Sequence, residues 1–318
     1  MKSRKLIISI ILTGLILFFI FYFIDFDTFV ASIKKVRISY LFLFFLVQLV
    51  IYLARAARFE MILQRKGLLI YFSISSVHFF LNKVLPARTG ELSLPILFNR
   101  FLNISYKKGI GTLFLFRFLD LISVVFLLAI SLFFVRIEEL NHNLLIVFAA
   151  IIITLQILFW IKLKLFINLL ERILKRIKIK KIEKHKEKLF EYFQQIITYK
   201  ESRTSGFLVK LILISLFTWL LTYLGFFLII SSFDLDYSIM QVIFATSLAN
   251  FTVLIPISTI GGFGTFEAGW AVGFVLLGMP VEMAVPVGLF TNIFGLIMTG
   301  IIASIGYIYL LFYLKKRL

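Results

Sequence analysis

The sequence predicts an all-α, polytopic integral membrane protein with about six full spans and two broken or re-entrant helical hairpins arranged as an inverted repeat. Three observations carry that prediction. Hydrophobic residues make up 61% of the 318 and charged residues only 16%, against about 45–50% and about 25% in soluble globular chains. The apolar residues come in runs close to the ~20 needed to cross a bilayer. Basic clusters punctuate those runs, as Lys and Arg do in cytoplasmic loops. With a mean hydropathy of +1.03, a soluble enzyme, a disordered chain and a secreted disulfide scaffold are excluded. The formal net charge of +18 would suggest nucleic acid in a soluble protein; here it serves as a topology ruler, and no nucleic-acid partner is expected. There is no cysteine, which removes disulfides, thiol catalysis and zinc–thiolate sites. His78, His142 and His185 are scattered without metal-ligand spacing, so no metal and no cofactor is expected.

Taken in order, Lys2, Arg4 and Lys5 precede an uncharged run from Leu6 to Ile24. That run is too long for a signal peptide and lacks a small-residue cleavage site, so it reads as the first span, entered from inside. The second span runs from about Ile38 to Ala54 and ends in a basic cluster, Arg55, Arg58, Arg65 and Lys66, which returns the chain to the cytoplasm. Residues 71–100 are apolar but broken by Leu85-Pro86-Ala87-Arg88-Thr89-Gly90-Glu91, with Pro95 after it; Pro removes a helix hydrogen bond and Gly loosens the backbone. Neither half is a comfortable span, and Lys107 and Lys108 follow. The segment reads as a hairpin opening to the inside, two tilted full spans being the alternative. A third span, about Gly109 to Val135, carries Arg117 and Asp120 three residues apart on one face. Glu138 and Glu139 mark an outer loop, and Leu144 to Ile161 spans inward.

Residues 162–206 form a basic amphipathic segment, with 13 Lys or Arg and five Glu between Lys162 and Arg203. Leu163, Phe166, Leu170, Ile173 and Ile177 recur at helical spacing, as do Leu189, Phe193 and Ile196. This predicts two amphipathic helices on the inner leaflet, drawn to anionic lipid by about 1 kcal/mol per basic residue; a plain topology anchor would carry the same charge. Phe207 to Ile230 spans outward, and Asp234 and Asp236 lie outside. Residues 239–279 form the second hairpin, broken by Pro256, Gly261, Gly262 and Gly264 before Glu267, and opening outward by parity. The last span runs from about Met283 to Leu314, and Lys315, Lys316 and Arg317 return the C-terminus to the cytoplasm.

The chain thus reads as a single transmembrane domain, 1–318, with repeat one at 38–135 and repeat two at 207–314. Asn82, Pro86, Gly90 and Glu91 are weakly echoed by Asn250, Pro256, Gly264 and Glu267. Inverted repeats with interrupted helices are a transporter design, whose broken helices meet near the midplane to form a substrate site. Irregular backbone at membrane depth requires burial in protein or a polar cavity. Lys83, Arg88, Glu91, Arg117, Asp120 and Glu267 lie in apolar context, each costing about 2.5–3.5 kcal/mol at the bilayer centre on insertion scales. They are the candidate substrate-binding residues. The plainer account of Arg88–Glu91 and Arg117–Asp120 is mutual neutralisation; Glu267 has no basic neighbour in sequence, so it pairs across the repeat or meets substrate.

Several of these residues resemble a known family. Pro86-Ala87-Arg88-Thr89-Gly90-Glu91 is similar to the Pro-x-Arg-x-Gly-Glu motif of the lysylphosphatidylglycerol synthase transmembrane region, or flippase-like domain. Gly261-Gly262-Phe263-Gly264-Thr265-Phe266-Glu267-Ala268 is similar to its Gly-Gly-x-Gly-x-x-Glu-Ala turn, and Arg55 to Arg58-Phe59 and Arg117 to Asp120 match further positions. The chain departs from the pattern at Leu94 and Asn292, where relatives often carry Arg, and at Phe116, where they often carry Glu. The resemblance implies a lipid flippase or lipid-binding transport module. In bifunctional members a separate soluble domain aminoacylates phosphatidylglycerol; with the sequence ending at Leu318, no synthetase activity is expected.

The leading expectation is movement of an amphipathic lipid across the cell (inner) membrane, with Lys83, Arg88 and Arg117 holding a phosphate-bearing headgroup. Glu91, Asp120 and Glu267 would balance them or meet a cationic headgroup. The expected partners are membrane lipids with anionic or aminoacylated headgroups, and a homo-oligomer is compatible with the sequence. A membrane-embedded transferase would need a general base, which the carboxylates could supply, but no nucleotide-binding loop is present. A small-solute or ion transporter would use the same scaffold. A noncatalytic scaffold is disfavoured by Glu267.

Overall fold

The computed structural model describes residues 36–138, 140–176, 194–252 and 262–315, with Val30, Ile33, Lys34 and Glu191. Outside the described residues lie the first expected span, Leu6–Ile24, with its preceding cations, and Glu139, Ile177, His185, Leu189, Phe193, Pro256, Gly261, Lys316 and Arg317. In chain order the helices are α1 (Ile38–Leu63), α2 (Leu68–Val84), a 3-10 helix (Pro86–Leu92), α3 (Ser93–Leu102), α4 (Tyr106–Ser131), α5 (His142–Ile161), α6 (Leu163–Arg176), α7 (Ser205–Ser232), α8 (Ile239–Thr252), α9 (Thr265–Val275) and α10 (Val281–Lys315). No strand occurs among the described residues. The protein is therefore all-α.

Five of these helices, α1, α4, α5, α7 and α10, are long and apolar enough to cross a membrane, and they coincide with the five expected spans that the structure describes. Each leaves large apolar side chains uncovered, from Phe42 on α1 through Val147 and Phe148 on α5 to Ile305 and Phe312 on α10. Soluble monomers do not sustain such a belt; in a bilayer it is the lipid-facing surface. The protein is a multi-pass membrane protein.

α1 differs from the expected span in a way that matters. It continues past Ala54 to Leu63, so Arg55 and Arg58 are not loop anchors. Arg58 is fully buried. The helix carries on because Phe59, Ile62 and Leu63 find apolar partners inside the bundle, and Arg58 finds a carboxylate.

The helices pack pairwise. α1 lies along α7, α2 along α10, and α8 along both α9 and α4. The backbone N–H of Arg37 bonds to the carbonyl of Ser232, and the Arg37 and Asp234 side chains pair, so the start of α1 meets the end of α7. Each hairpin's first arm thus crosses to the closing span of the other half. The free ends of hairpin one share an apolar cluster, Leu63, Ile70, Leu102 and Ile104, with Leu310 of α10. This is the basic end of the molecule, with Arg65, Lys66, Lys107 and Lys108. At the other end Met279 and Ala284 pack with Ile230 and Val242, and the tip of α9 joins Val135 and Ala149.

The hairpin arms are short. At 17 and 14 residues, α2 and α8 reach about 25 and 21 Å, less than the ~30 Å hydrocarbon layer. Pro86 opens the 3-10 turn after Leu85 takes an extended conformation. Gly90 sits directly against the Leu81 carbonyl and the Asn82 backbone, where a Cβ would collide. In hairpin two Gly264 holds φ +86 immediately before α9, a left-handed conformation that glycine adopts freely.

Between α5 and α7 the described parts of the amphipathic segment pack onto the bundle. Leu163, Ile167, Ile196 and Ile197 are buried in one cluster with Ile62, Leu115, Leu119 and Leu211, so this part of its apolar face packs on protein rather than on the leaflet. Lys200 Nζ donates to the carbonyls of Trp160 and Ile161, satisfying orphan acceptors at the end of α5. Burial holds its ammonium below the ordinary lysine range.

Candidate functional site

Four elements converge on a buried charge network. Arg58 of α1 donates from Nη2 to Asp120 Oδ1 of α4 at 2.7 Å. Trp219 Nε1 of α7 donates to the same oxygen at 3.2 Å. Arg117 Nη1 lies 3.9 Å from Asp120 Oδ2, and its Nη2 lies 3.3 Å from Glu91 Oε1 in the 3-10 turn of hairpin one. Asp120 and Trp219 sit near the middle of helices 26 and 28 residues long, well inside the membrane layer. Apolar neighbours make α4 a helix here; the charges survive because they meet one another away from lipid.

Aromatic faces complete the network. The Arg58 guanidinium lies over Phe116, 3.4 Å from the ring centroid, and Phe116 stacks on Phe59 at 4.6 Å. Arg55 lies 3.7 Å over Phe79, and Arg117 approaches the same ring at 5.7 Å. Desolvated cation–π contacts reach about 2 kcal/mol. Arg55 has no carboxylate within ion-pair distance among the described residues. Nε and Nη1 of Arg58 and Nε of Arg117 are buried without a hydrogen-bond partner there. The cluster therefore holds three guanidinium groups against two carboxylates, with N–H donors left over. An oxyanion is the chemical complement of such a set.

Hairpin two contributes differently. Glu267 is buried; its Oε2 accepts from the Gly264 backbone N–H at 2.6 Å and its Oε1 from Asn292 Nδ2 of α10 at 2.9 Å. The carboxylate closes the first turn of its own helix and ties it to the last span. Lys83 of hairpin one lies in electrostatic range of both Arg55 and Glu267, and its Nζ rests against Gly295 of α10. Lys83 thus stands between the charge network and the Glu267 turn.

Of the residues expected from sequence, Glu91, Arg117 and Asp120 fall in one network, and Lys83 lies between it and Glu267. The Arg88 side chain is outside the described residues. The expected i,i+3 pair of Arg117 and Asp120 is the longer of two, since Asp120 is held more closely by Arg58. Glu91 faces Arg117 rather than only its own turn. The departures from the family pattern are also placed. Phe116 offers Arg58 a ring where relatives often carry Glu, Asn292 meets Glu267, and Leu94 is fully buried in the apolar core. Trp219 and Phe79 join the network without a signal in the sequence. In a hydrophobic span an aromatic residue carries no polar signal, and only the neighbouring helix reveals its role.

A family model described as the lysylphosphatidylglycerol synthase TM region matches residues 6–303. No curated protein matches the chain.

Proposed function

The chain belongs to the lysylphosphatidylglycerol synthase TM-region family, and from that premise we propose that it carries a phosphate-bearing lipid headgroup across the bilayer, as a flippase or lipid transporter. The observation that carries this reading is the convergence of Arg55, Arg58 and Arg117 on two carboxylates, with Arg55 outside any described ion pair and guanidinium N–H groups unmatched. A phosphodiester entering beside Phe79 would take those donors while its tails stay in lipid. Lys83 and Arg88 would extend the cationic lining, and Glu91, Asp120 and Glu267 would limit its net charge or meet a cationic headgroup. The matching order of long span, broken hairpin and long span in the two halves, with α2 on α10 and α8 on α4, supports an inverted repeat whose hairpins expose the site alternately. In this reading the basic end faces the cytoplasm, the protein resides in the cell (inner) membrane, and it acts as a transporter rather than as a synthetase.

Reconstitution tests the proposal. Proteoliposomes carrying a headgroup-labelled anionic phospholipid are quenched from outside with dithionite, and the protected fraction is followed. Transport is expected with the parent protein and is expected to fall at least tenfold with Arg55→Ala and Arg117→Ala. If neither variant changes movement of any anionic or aminoacylated lipid, the cluster is not a headgroup site.

A further inference from the structure

We infer that α6 is a docking surface for anionic lipid, seated on the leaflet at the basic end of the molecule. This inference does not rest on the transport reading. α6 has two apolar rows rather than one. Leu163 and Ile167 form the inner row, 1% and 3% exposed, in the cluster with Ile62, Leu115 and Leu119. Leu165 and Leu169 form the outer row, one turn apart, 60% and 48% exposed. Lys162 and Arg172 flank that outer row at helical spacing, and both are exposed. Residues 162–176 carry five Lys or Arg and one Glu.

The placement leaves the outer row little choice of partner. α6 begins directly after the membrane-spanning α5, which puts its start at the bilayer border. It cannot roll to hide the outer row in the protein, because it is pinned from three sides. Lys164 Nζ pairs with Glu201 Oε1 at 3.2 Å, Phe166 packs on Phe159 with ring centroids 5.4 Å apart, and Lys200 caps the end of α5. A second copy of the chain is a poor complement, since a two-fold contact would bring these cations together. A leaflet with anionic phosphates matches both the apolar row and its charged flanks. At about 1 kcal/mol per basic residue, each flanking cation is worth about a fivefold preference for anionic lipid.

The absence of cysteine permits a direct test. Nitroxide labels are placed singly through Leu165→Cys, Leu169→Cys and Asn168→Cys in the full chain. The proteins are reconstituted in phosphatidylcholine nanodiscs with and without phosphatidylglycerol, and label accessibility to oxygen and to a water-soluble nickel chelate is measured. The labels at 165 and 169 are expected to be lipid-immersed and the label at 168 water-exposed, with deeper immersion when phosphatidylglycerol is present. Lys162→Gln with Arg172→Gln, whose side chains are exposed, should weaken that lipid dependence about fivefold per cation while gel-filtration behaviour and helical content stay unchanged. Water exposure at 165 and 169 in both lipids overturns the proposal. So does equal immersion with and without phosphatidylglycerol, or dipolar broadening that reports a second copy.

Discussion

Arg55 and Arg58 stand one turn apart on α1 and do different physical work. Arg58 is fully buried and bonded to Asp120. Removing one member of a buried ion pair leaves an uncompensated charge and costs about 3–5 kcal/mol. Arg58→Ala should therefore lower thermal stability in detergent by that order; a melt unchanged from the parent would mean that the pair does not hold α1 to α4. Arg55 has no ion pair among the described residues and sits over Phe79 and beside Tyr52, so Arg55→Ala should cost about 2 kcal/mol or less while lipid movement falls. Glu267→Ala should uncap α9 and leave the Gly264 N–H without its acceptor, a loss of about 1–3 kcal/mol seen in the same melts. Arg117, Asp120 and Glu91 were legible because a charge in an apolar run stands out. Arg58 is visible in the sequence but reads there as a loop cation, because its meaning depends on Asp120, 62 positions away.

Hairpins show the same divide between local and distant information. Pro86 and Gly90 announce a break in sequence, and the structure has one there. Their register does not announce itself: the 3-10 turn folds back so closely that Gly90 touches the backbone of Leu81 and Asn82. Gly90→Ala should force the arms apart at an overpacking cost of about 1–3 kcal/mol, and hydrogen exchange over 68–84 should rise. Exchange like the parent's would show that the close approach is dispensable. α7 bonds to both halves, to α4 across the repeat and to α8 within its own. Trp219 reaches Asp120, and one turn later Tyr223, fully buried, hydrogen-bonds Ser247 of α8 at 2.6 Å. Tyr223→Phe removes the hydroxyl and with it its contacts to α8. It should cost about 1–3 kcal/mol and raise exchange over 239–252 while 106–131 stays protected; equal loosening of both stretches would count against a contact specific to α8.

At the scale of the whole molecule, span order was readable because hydropathy contrasts sharply with the basic clusters between spans. Lateral neighbours were not readable. Between helices in a bilayer there is no hydrophobic contrast, since lipid tails are as apolar as Leu, so nothing in composition says that α2 lies on α10 or α8 on α4. Sidedness falls between these cases, inferred from charge alone. It can be measured in this chain without background, because there is no native cysteine. Lys66, Lys107, Leu140 and Asp236 are all exposed, the first two at the basic end and the last two at the other. With Lys66→Cys or Lys107→Cys, a membrane-impermeant maleimide should react only in inverted vesicles. With Leu140→Cys or Asp236→Cys it should react only in intact cells. The pairing of Arg37 with Asp234 and the shared cluster of Leu63 with Leu102 and Leu310 require the two sets to differ. Labelling of all four from one side would therefore break both the span parity and the opposed openings expected of the two hairpins, and with them the alternating access that the proposed lipid transport requires.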